Sequence, residues 1–384
     1  MLRTVADENI PGSEAAVGAL GPVTRLPGRA ITTEALREAD ALLARSVTPV
    51  DGALLDGTPV RFVGTATAGT DHVDLGDLAD RGVAFASAPG SNAASVADYV
   101  VAALLALAAD LGESLEGRTL GVVGVGEVGG RVVPRARALG LAVLACDPPR
   151  AAAGHTDHAY LPLADVLRQS DVVTLHTPLT DAGPWPTRGL ISDAAALRPD
   201  AWLVNAARGG VVTADVARAL AESRPVVLDV WPGEPAPDPA LVAAVALGTP
   251  HVAGYASDAK LRGTAMVAEA LRRWAEADGL AVPPWDPATL DAPGPAPLVA
   301  PDLPASTPAE RARWLDALAR QAYDVRADDA RFRAALADAP DRASAFAELR
   351  RAYPQRRELS RYSAVGPVPD SLRAAVTDGL GLSL

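Results

Sequence analysis

The chain has 384 residues, 49% of them hydrophobic, and carries a formal net charge of −12. Such a length is enough for two or three domains with sizeable cores, and the negative charge argues against a nucleic-acid-binding surface. Because Cys146 is the only cysteine, an intramolecular disulfide is excluded, and the polar start MLRTVADENIPG is not a signal peptide. We therefore expect a cytoplasmic protein that binds neither nucleic acid nor a membrane.

Residues 2–90 alternate short apolar strands with helical segments, which is the pattern of a mostly parallel sheet. Strands are predicted at LRTVAD, PVTRLP, ALLARS, VRFVGTA and VAFASAP, and helices at SEAAVGAL, TTEALREA and DHVDLGDLADRG. A long helix is predicted over about 92–111. Its apolar run YVVAALLALAA (99–109) is shorter than the roughly 18 residues of a membrane span, so we expect a buried helix.

A second set of alternating strands and helices begins at RTLGVVGVGEVGG. Its predicted strands are TLGVVGV, LAVLACD, DVVTLHT, AWLVNAA and PVVLDVW. We therefore predict an α/β fold with two Rossmann-like, doubly wound parallel-sheet domains. Ligands are expected in a cleft between them, at the carboxyl ends of the strands.

The pattern changes at about residue 283, where a proline-rich stretch suits either a flexible linker or an edge strand. Helices are predicted at about 308–321 and 341–352, so the end of the chain is expected to form a small α+β domain. The expected domains are residues 1–95 with 254–282, residues 96–253, and residues 283–384.

The stretch GVGEVG follows an apolar strand and precedes a predicted helix, as in the dinucleotide-binding turn of Rossmann folds. Gly124 allows the tight turn, Gly126 lets the backbone approach a pyrophosphate, and Gly129 permits close packing of helix and strand. The free N–H groups at the helix N-terminus favour the phosphates. We expect these glycines, with Glu127 and Val128 between them, to bind the cofactor.

Asp147 ends the next predicted strand, LAVLACD. A carboxylate at this position hydrogen-bonds the ribose 2′-OH of NAD and repels the extra phosphate of NADP, so NAD is the predicted cofactor. The alternative is a glycine-rich turn that binds no nucleotide. Pro134 lies inside the helix after the turn, where it removes a hydrogen bond at a cost of about 3 kcal/mol and predicts a kink or an early break.

Three more polar residues follow predicted strands: Arg208 in NAARGG, Glu234 in DVWPGEP and His251 in TPHVAG. Arg binds a carboxylate through two parallel hydrogen bonds, His takes up a proton near neutral pH, and a nearby Glu orients the imidazole. Together these residue types suit oxidation of a 2-hydroxy acid. Singly, Arg208 also suits a surface ion pair, Glu234 a loop carboxylate, and His251 a backbone hydrogen bond. The histidines show no metal-ligand spacing, so we expect no metal.

These motifs in this order, with HTPL between them, resemble the D-isomer-specific 2-hydroxyacid dehydrogenases. VADENIPG, LPGRAI, RSVT, FVGTATAGTDHVD, APGSNAASVADYV, CDPPR and VLDVWPGEP resemble one branch of them, the erythronate-4-phosphate dehydrogenases. The resemblance implies NAD-dependent oxidation of 4-phospho-D-erythronate to (R)-3-hydroxy-2-oxo-4-phosphobutanoate, a step in pyridoxal 5′-phosphate (vitamin B6) biosynthesis. QAYDVRADDARFR and LRRAYPQRRELSRY resemble that family's dimerisation domain, which implies a homodimer.

The resemblance also implies roles for residues and domains. Arg208 and Glu234 would act in the active site, with His251 transferring the proton. The implied NAD contacts are Asp147, Thr177, Asp229 and Gly254, and the implied substrate contacts are Ser46, Thr67 and Tyr255. Residues 1–95 and 254–282 would form a substrate-binding lid, and residues 96–253 would bind NAD. The chain departs from the family pattern at Ala207, Ser257 and Asp258.

Two other functions are open on the sequence. One is another D-2-hydroxyacid dehydrogenase, such as a phosphoglycerate dehydrogenase, which usually has a different terminal domain or none. The other is a non-catalytic protein that senses NAD(H) on the same fold. The presence of Arg208, Glu234 and His251 argues against a sensor.

Overall fold

The computed structural model describes residues 1–290 and 294–384. The strands are, in chain order, β1 (Thr4–Asp7), β2 (Val23–Leu26), β3 (Ala41–Ala44), β4 (Phe62–Thr65), β5 (Ala84–Ala86), β6 (Thr119–Val123), β7 (Ala142–Cys146), β8 (Val172–Leu175), β9 (Trp202–Asn205), β10 (Val226–Leu228), β11 (Leu247–Gly248), β12 (Ala296–Val299) and β13 (Tyr362–Val365). The α-helices are α1 (Ser13–Val17), α2 (Gly52–Leu55), α3 (Leu75–Asp80), α4 (Ala93–Leu111), α5 (Gly129–Ala138), α6 (Pro148–Ala152), α7 (Leu163–Gln169), α8 (Ala214–Ser223), α9 (Pro239–Ala244), α10 (Ser257–Ala277), α11 (Pro308–Arg320), α12 (Val325–Ala337) and α13 (Arg342–Arg351). A π-helical turn, Ala375–Leu380, lies near the end of the chain.

The described residues divide into two compact units: 1–92 with 256–290, and 93–255 with 294–384. The first unit holds a five-stranded parallel sheet of order β2-β1-β3-β4-β5. One face packs against α10, through residues that include Val267 and Leu271. The other face packs against a cluster that includes Leu36 and Leu78. This strand order is that of a doubly wound fold.

One predicted helix of this unit is wrong. The stretch TTEALREA forms successive turns, in which several amides donate to carbonyls three residues back. The hydroxyl of Thr33 lies within hydrogen-bonding distance of the carbonyl oxygens of Ala53 and Leu54, at 3.2 and 3.0 Å. Within the segment, the Ala35 N–H donates to the hydroxyl of Thr32 at 3.4 Å, and such local bonds from Thr compete with a regular helix.

The second unit holds a six-stranded parallel sheet of order β11-β10-β9-β8-β6-β7. Because β6 lies between β7 and β8, the winding direction reverses there and leaves a crevice at the carboxyl ends of the strands. Helices α4 and α5 cover one face, and α7, α8 and α9 cover the other. The strands are correspondingly buried and apolar. The predicted α/β fold with two doubly wound parallel sheets is confirmed.

The helix α4 is buried along nearly its whole length. Its length and composition would suffice to span a membrane, but 78% of its most apolar window is buried inside the protein. One side packs on the sheet and α5, and another is covered by α11 through Trp314, Leu315 and Leu318. A helix that is apolar all round must be covered all round, so α4 is a core helix, as the sequence predicts.

The C-terminal residues 294–384 are packed differently from the sequence prediction. They share one compact unit and one apolar core with residues 93–255, because α11 and the π-helical turn cover α4 and α5. Their α+β character is confirmed, since β12 and β13 form a parallel pair beside the helices. The proline-rich stretch therefore contains a strand, and α12 has no counterpart in the prediction. How functions are divided among these segments stays a prediction.

Pro134 lies inside α5, which continues to Ala138. The predicted early break is therefore not found. Val132 and Val133 of this helix are buried in the core. Their packing offsets the hydrogen bond that proline cannot make, since tertiary contacts supply most of the stability of short helices.

Trp314 tests whether α11 and α4 form one core. It is 1% exposed, and its indole Nε1 donates to the Pro301 carbonyl oxygen at 3.0 Å. We expect Trp314→Ala to lower the free energy of unfolding by about 3–5 kcal/mol, because it leaves a cavity against α4. Trp314→Phe keeps an aromatic ring and should cost about 1–2 kcal/mol. Urea unfolding measures both, and a loss below about 1 kcal/mol for the alanine variant would contradict a shared core.

Candidate active site

The glycine-rich loop between β6 and α5 has the geometry of a dinucleotide-binding turn. Gly124 has a φ of +86°, and a Cβ there would lie 2.8 Å from the carbonyl of His176. A Cβ on Gly129 would lie 2.0 Å from the Gly124 carbonyl oxygen, whereas the space beside Gly126 is open. Only glycine therefore fits at 124 and 129, and the open side at 126 leaves room for a pyrophosphate.

The two residues between these glycines have their side chains engaged with the protein. Glu127 forms an ion pair with Arg131 at 2.7 Å. Val128 is half-buried and packs against the core of the second unit. Their predicted cofactor contacts would therefore be made by the backbone N–H groups at the start of α5.

Asp147, the predicted ribose contact that follows β7, is hydrogen-bonded to the glycine-rich loop. Its carboxylate accepts hydrogen bonds from the Val125 N–H at 2.8 Å and the Arg150 N–H at 3.1 Å. The first bond holds the glycine loop, and the second caps α6. A ribose hydroxyl would use the remaining acceptor capacity of the carboxylate, which has about four lone-pair sites.

Two buried polar atoms follow β8, beside Gly124. His176 Nδ1 and Thr177 Oγ1 have no hydrogen-bond partner in the part of the chain that the structure describes. Burial lowers the pKa of His176 to about 3, so its imidazole is neutral. Buried polar groups without partners are costly, and a nucleotide on the glycine loop offers hydrogen bonds to them. These residues therefore fit NAD.

A cavity of about 500 Å³ lies next to the ends of β9 and β10. Arg208 and Glu234 both line it, so the structure brings these two predicted residues together. Arg188 lines the same cavity and forms an ion pair with Asp181. No motif marks Arg188 in the sequence, and sequence reasoning missed it.

His251 and Glu234 form the pair that the sequence predicts. His251 Nδ1 lies 2.6 Å from Glu234 Oε1, and their side chains are 32% and 22% exposed. Because a carboxylate only accepts, Nδ1 carries the proton and Nε2 is left to exchange one with a substrate. Burial raises the pKa of Glu234, but the hydrogen bond and charge of His251, with the charge of Arg350, outweigh it and lower that pKa below the ordinary 4.5.

Asp229 holds the loop that carries His251. Among the described residues, His251 is the only non-glycine residue with a left-handed backbone, at φ +58°. Its N–H donates to the Asp229 carbonyl oxygen at 2.7 Å. The Asp229 carboxylate accepts from the N–H of Val252 at 2.7 Å, the N–H of Ala253 at 2.9 Å and the hydroxyl of Thr249 at 2.7 Å. Asp229 therefore positions His251, and its predicted NAD contact stays a prediction.

Arg356, from the C-terminal residues, holds the other side of this loop. It is 6% exposed and donates to the carbonyl oxygens of Ala253 at 2.6 Å and Val252 at 3.2 Å. Ser95 Oγ lies 2.9 Å from Arg356 and donates to the same Ala253 carbonyl at 2.8 Å. The guanidinium also lies 3.9 Å from the ring centroid of Tyr323, a cation–π contact. Sequence reasoning missed Ser95 and Arg356, because no spacing signals such distant partners.

Tyr255, a predicted substrate contact, also packs against C-terminal residues. Its ring meets Tyr353 edge to face, with centroids 5.8 Å apart, and the Arg350 guanidinium lies 5.4 Å from its centroid. Gly254, a predicted NAD contact, is half-buried and joins Tyr255 to the segment held by Asp229. The C-terminal residues therefore place side chains directly beside the His251 loop.

Ser46 and Thr67 belong to the first unit, where both follow carboxyl ends of parallel strands. Ser46 is exposed after β3. The Thr67 hydroxyl lies 2.8 Å from the hydroxyl of Thr65, which lies 2.9 Å from His72 Nε2. Ligands bind at such strand ends in this fold, and the substrate roles of Ser46 and Thr67 stay predictions.

The departures from the family pattern lie at a strand end and at a helix start. Ala207, after β9, is 8% exposed, and its N–H donates to Asn205 Oδ1 at 3.1 Å. Ser257 begins α10, and Asp258, 4% exposed, lies in its first turn. The helix dipole favours a carboxylate at this position, which explains why an acidic residue at 258 is compatible with the fold.

Comparison with protein families matches two parts of the chain. Residues 95–253 match a family described as D-isomer specific 2-hydroxyacid dehydrogenase, NAD binding domain, and residues 300–378 match a domain of unknown function. The TT0316 protein of Thermus thermophilus has a TM-score of 0.62 at 26% identity, covering 73% of this chain and 99% of its own. D-Lactate dehydrogenase of Aquifex aeolicus, solved with NAD and lactic acid, has a TM-score of 0.61 at 22% identity, covering 74% and 100%.

Curated relatives match over nearly the whole length. The erythronate-4-phosphate dehydrogenase of Salinibacter ruber is 51% identical over 402 residues, covering 100% of this chain and 99% of the relative. Those of Azotobacter vinelandii and Pseudomonas aeruginosa are 50% and 48% identical, covering 93% and 94% of both chains. With its NAD-binding domain and its C-terminal residues both matched, the chain belongs to the erythronate-4-phosphate dehydrogenases, within the D-isomer specific 2-hydroxyacid dehydrogenases.

Proposed function

We propose that this chain oxidises 4-phospho-D-erythronate with NAD⁺ to (R)-3-hydroxy-2-oxo-4-phosphobutanoate, in pyridoxal 5′-phosphate biosynthesis. The proposal is supported above all by the pairing of His251 with Glu234 at 2.6 Å, where Glu234 also lines a cavity with Arg208. The names of the curated relatives supply the substrate.

NAD, when bound, supplies the acceptor for a hydride from the substrate carbon. The three glycines of the loop and the N-terminus of α5 would hold its pyrophosphate, and Asp147 its ribose. Thr177, Asp229 and Gly254 are the further proposed contacts.

The side chains of this chain then handle the carboxylate and the proton. Arg208 binds the substrate carboxylate through parallel hydrogen bonds and fixes the adjacent hydroxyl. His251 Nε2 takes the hydroxyl proton, and Glu234 stabilises the imidazolium that forms. Ser46, Thr67 and Tyr255 are proposed to contact the rest of the substrate.

A panel of hydroxy acids tests this function. With NAD⁺, we expect the highest kcat/KM for 4-phosphoerythronate, and values at least about tenfold lower for 3-phosphoglycerate and for erythronate without phosphate. His251→Ala should lower kcat by about 10²–10⁴-fold while NADH still binds, whereas the exposed His155→Ala is the matched control. A preference for 3-phosphoglycerate, or NAD binding without oxidation of any acid, would contradict the proposal.

The pH dependence tests the role of Glu234. Because its pKa is lowered below the ordinary 4.5, the Glu234 carboxylate is ionised at neutral pH, where it accepts the hydrogen bond of His251. Glu234→Gln should therefore lower kcat about 10- to 100-fold and move the acidic limb of the kcat/KM profile to lower pH. The same lowered pKa means that Glu234 stabilises the folded chain at any pH above its ordinary pKa. That contribution is lost as the pH falls through the lowered pKa of the folded state. An acidic limb that does not move would separate Glu234 from the proton transfer.

We also propose a cytoplasmic homodimer that forms through the C-terminal residues. Val299 and Val365 are register partners on β12 and β13 and are 64% and 41% exposed. Leu303, shortly after β12, is 47% exposed. Neighbouring exposed apolar side chains are typical of an interface.

Sedimentation velocity tests the dimer. The wild-type chain should sediment as a dimer, and the double variant Val299→Asp and Val365→Asp as a monomer, because unpaired charges in an apolar interface are costly. Leu111→Asp is the matched control, since Leu111 is 47% exposed at the end of α4. A monomeric wild type, or a double variant that remains dimeric, would place the interface elsewhere or exclude it.

A further inference from the structure

Arg350 is a cation beside the catalytic pair to which no motif assigns a role. It lies in the last turn of α13, and its guanidinium is 5.4 Å from the ring centroid of Tyr255. Its positive charge contributes to the lowered pKa of Glu234, which accepts the hydrogen bond of His251. Arg350 is therefore near the reacting end of the site, although it is far from His251 in sequence.

The guanidinium of Arg350 has no hydrogen bond or ion pair in the part of the chain that the structure describes, and its Nε is shielded from solvent. Its neighbour Arg351 behaves differently: Nε and a terminal nitrogen each lie 2.7 Å from the carboxylate of Glu348. A buried N–H without an acceptor is costly. The guanidinium of Arg350 is thus available to an anionic ligand.

Two arginines with different surroundings lie near Glu234. Arg208 lines the cavity that Glu234 also lines, whereas Arg350 lies against the ring of Tyr255, outside that lining, and acts on Glu234 through its charge. A phosphorylated 2-hydroxy acid has two anionic ends, with the reacting carbon next to the carboxylate. One cation on each side of the acid–base pair matches this charge distribution.

We propose that Arg350 is a specificity-determining residue that binds the phosphate end of the substrate, from the Tyr255 side of the His251–Glu234 pair. This inference rests on the proposed function, in which Arg208 binds the carboxylate. Guanidinium suits a phosphate because its planar fork offers parallel N–H donors. The NAD-binding family match ends at residue 253, whereas Arg350 lies within the second match, 300–378. The proposal thus adds a phosphate contact from the C-terminal residues to the substrate contacts proposed for Ser46, Thr67 and Tyr255.

Steady-state kinetics of Arg350→Met, on 4-phosphoerythronate and on erythronate without phosphate, test this assignment. We expect the KM for the phosphorylated acid to rise about 10- to 100-fold with kcat changed less than about threefold, since the lost bonds are made equally in ground and transition states. The kcat/KM for erythronate should stay within about twofold of wild type. Inorganic phosphate should inhibit the wild type competitively and the variant at least about tenfold more weakly.

Two further variants make the result interpretable. Arg351→Met, which removes a 69%-exposed arginine paired with Glu348, should behave as wild type. Arg350→Lys, which keeps the charge without the fork, should lie between wild type and Arg350→Met, and it replaces Arg350→Met if that variant does not fold. An unchanged KM for 4-phosphoerythronate, or equal losses on both acids, would overturn the assignment. A wild type that does not oxidise 4-phosphoerythronate would instead overturn the proposed function itself.

Discussion

The site depends on the hydrogen bonds that the Asp229 carboxylate accepts from the segment around His251. A left-handed backbone at a residue other than glycine costs of the order of 1–3 kcal/mol, and His251 adopts one. The bonds from Thr249, Val252 and Ala253 to Asp229 fix the segment on both sides of that conformation. The direction of the imidazole is therefore set by a carboxylate whose two oxygens are already engaged with the protein.

A buried carboxylate is expensive unless its charge is balanced, and here the balance comes through the backbone. The peptide units around Val252 and Ala253 direct their N–H groups to Asp229 and their C=O groups to Arg356. The loop dipoles thus lie between a buried anion and a buried cation. Through Arg356, residues 294–384 therefore help to hold the backbone of the loop that carries His251.

Much of the fold follows from the sequence, because its determinants are local. Buried parallel strands appear as apolar runs, and the glycine loop is fixed by steric conflicts that any side chain at 124 or 129 would create. The His251–Glu234 pair follows from strand ends that must meet at one edge of a sheet. Two features could not be predicted from the sequence. Hydrogen bonds of threonine hydroxyls decide that residues 32–39 form turns, and core packing decides that α5 continues past Pro134. Arg356, Ser95 and Arg350 are beyond sequence reasoning, since their partners lie about 90 to 260 residues away without any periodic pattern.

The apolar circumference of α4 has a consequence for synthesis on the ribosome. The helix ends at Leu111, but α11, which covers it, is complete only at Arg320. At ordinary elongation rates roughly 10–40 s separate the two events, and during that time a strongly apolar surface is exposed on the nascent chain. The sheet strands can form before α11 emerges, but the side of α4 that packs on α11 lacks its partner until then. Expression of this protein should therefore depend on chaperones that bind apolar nascent segments.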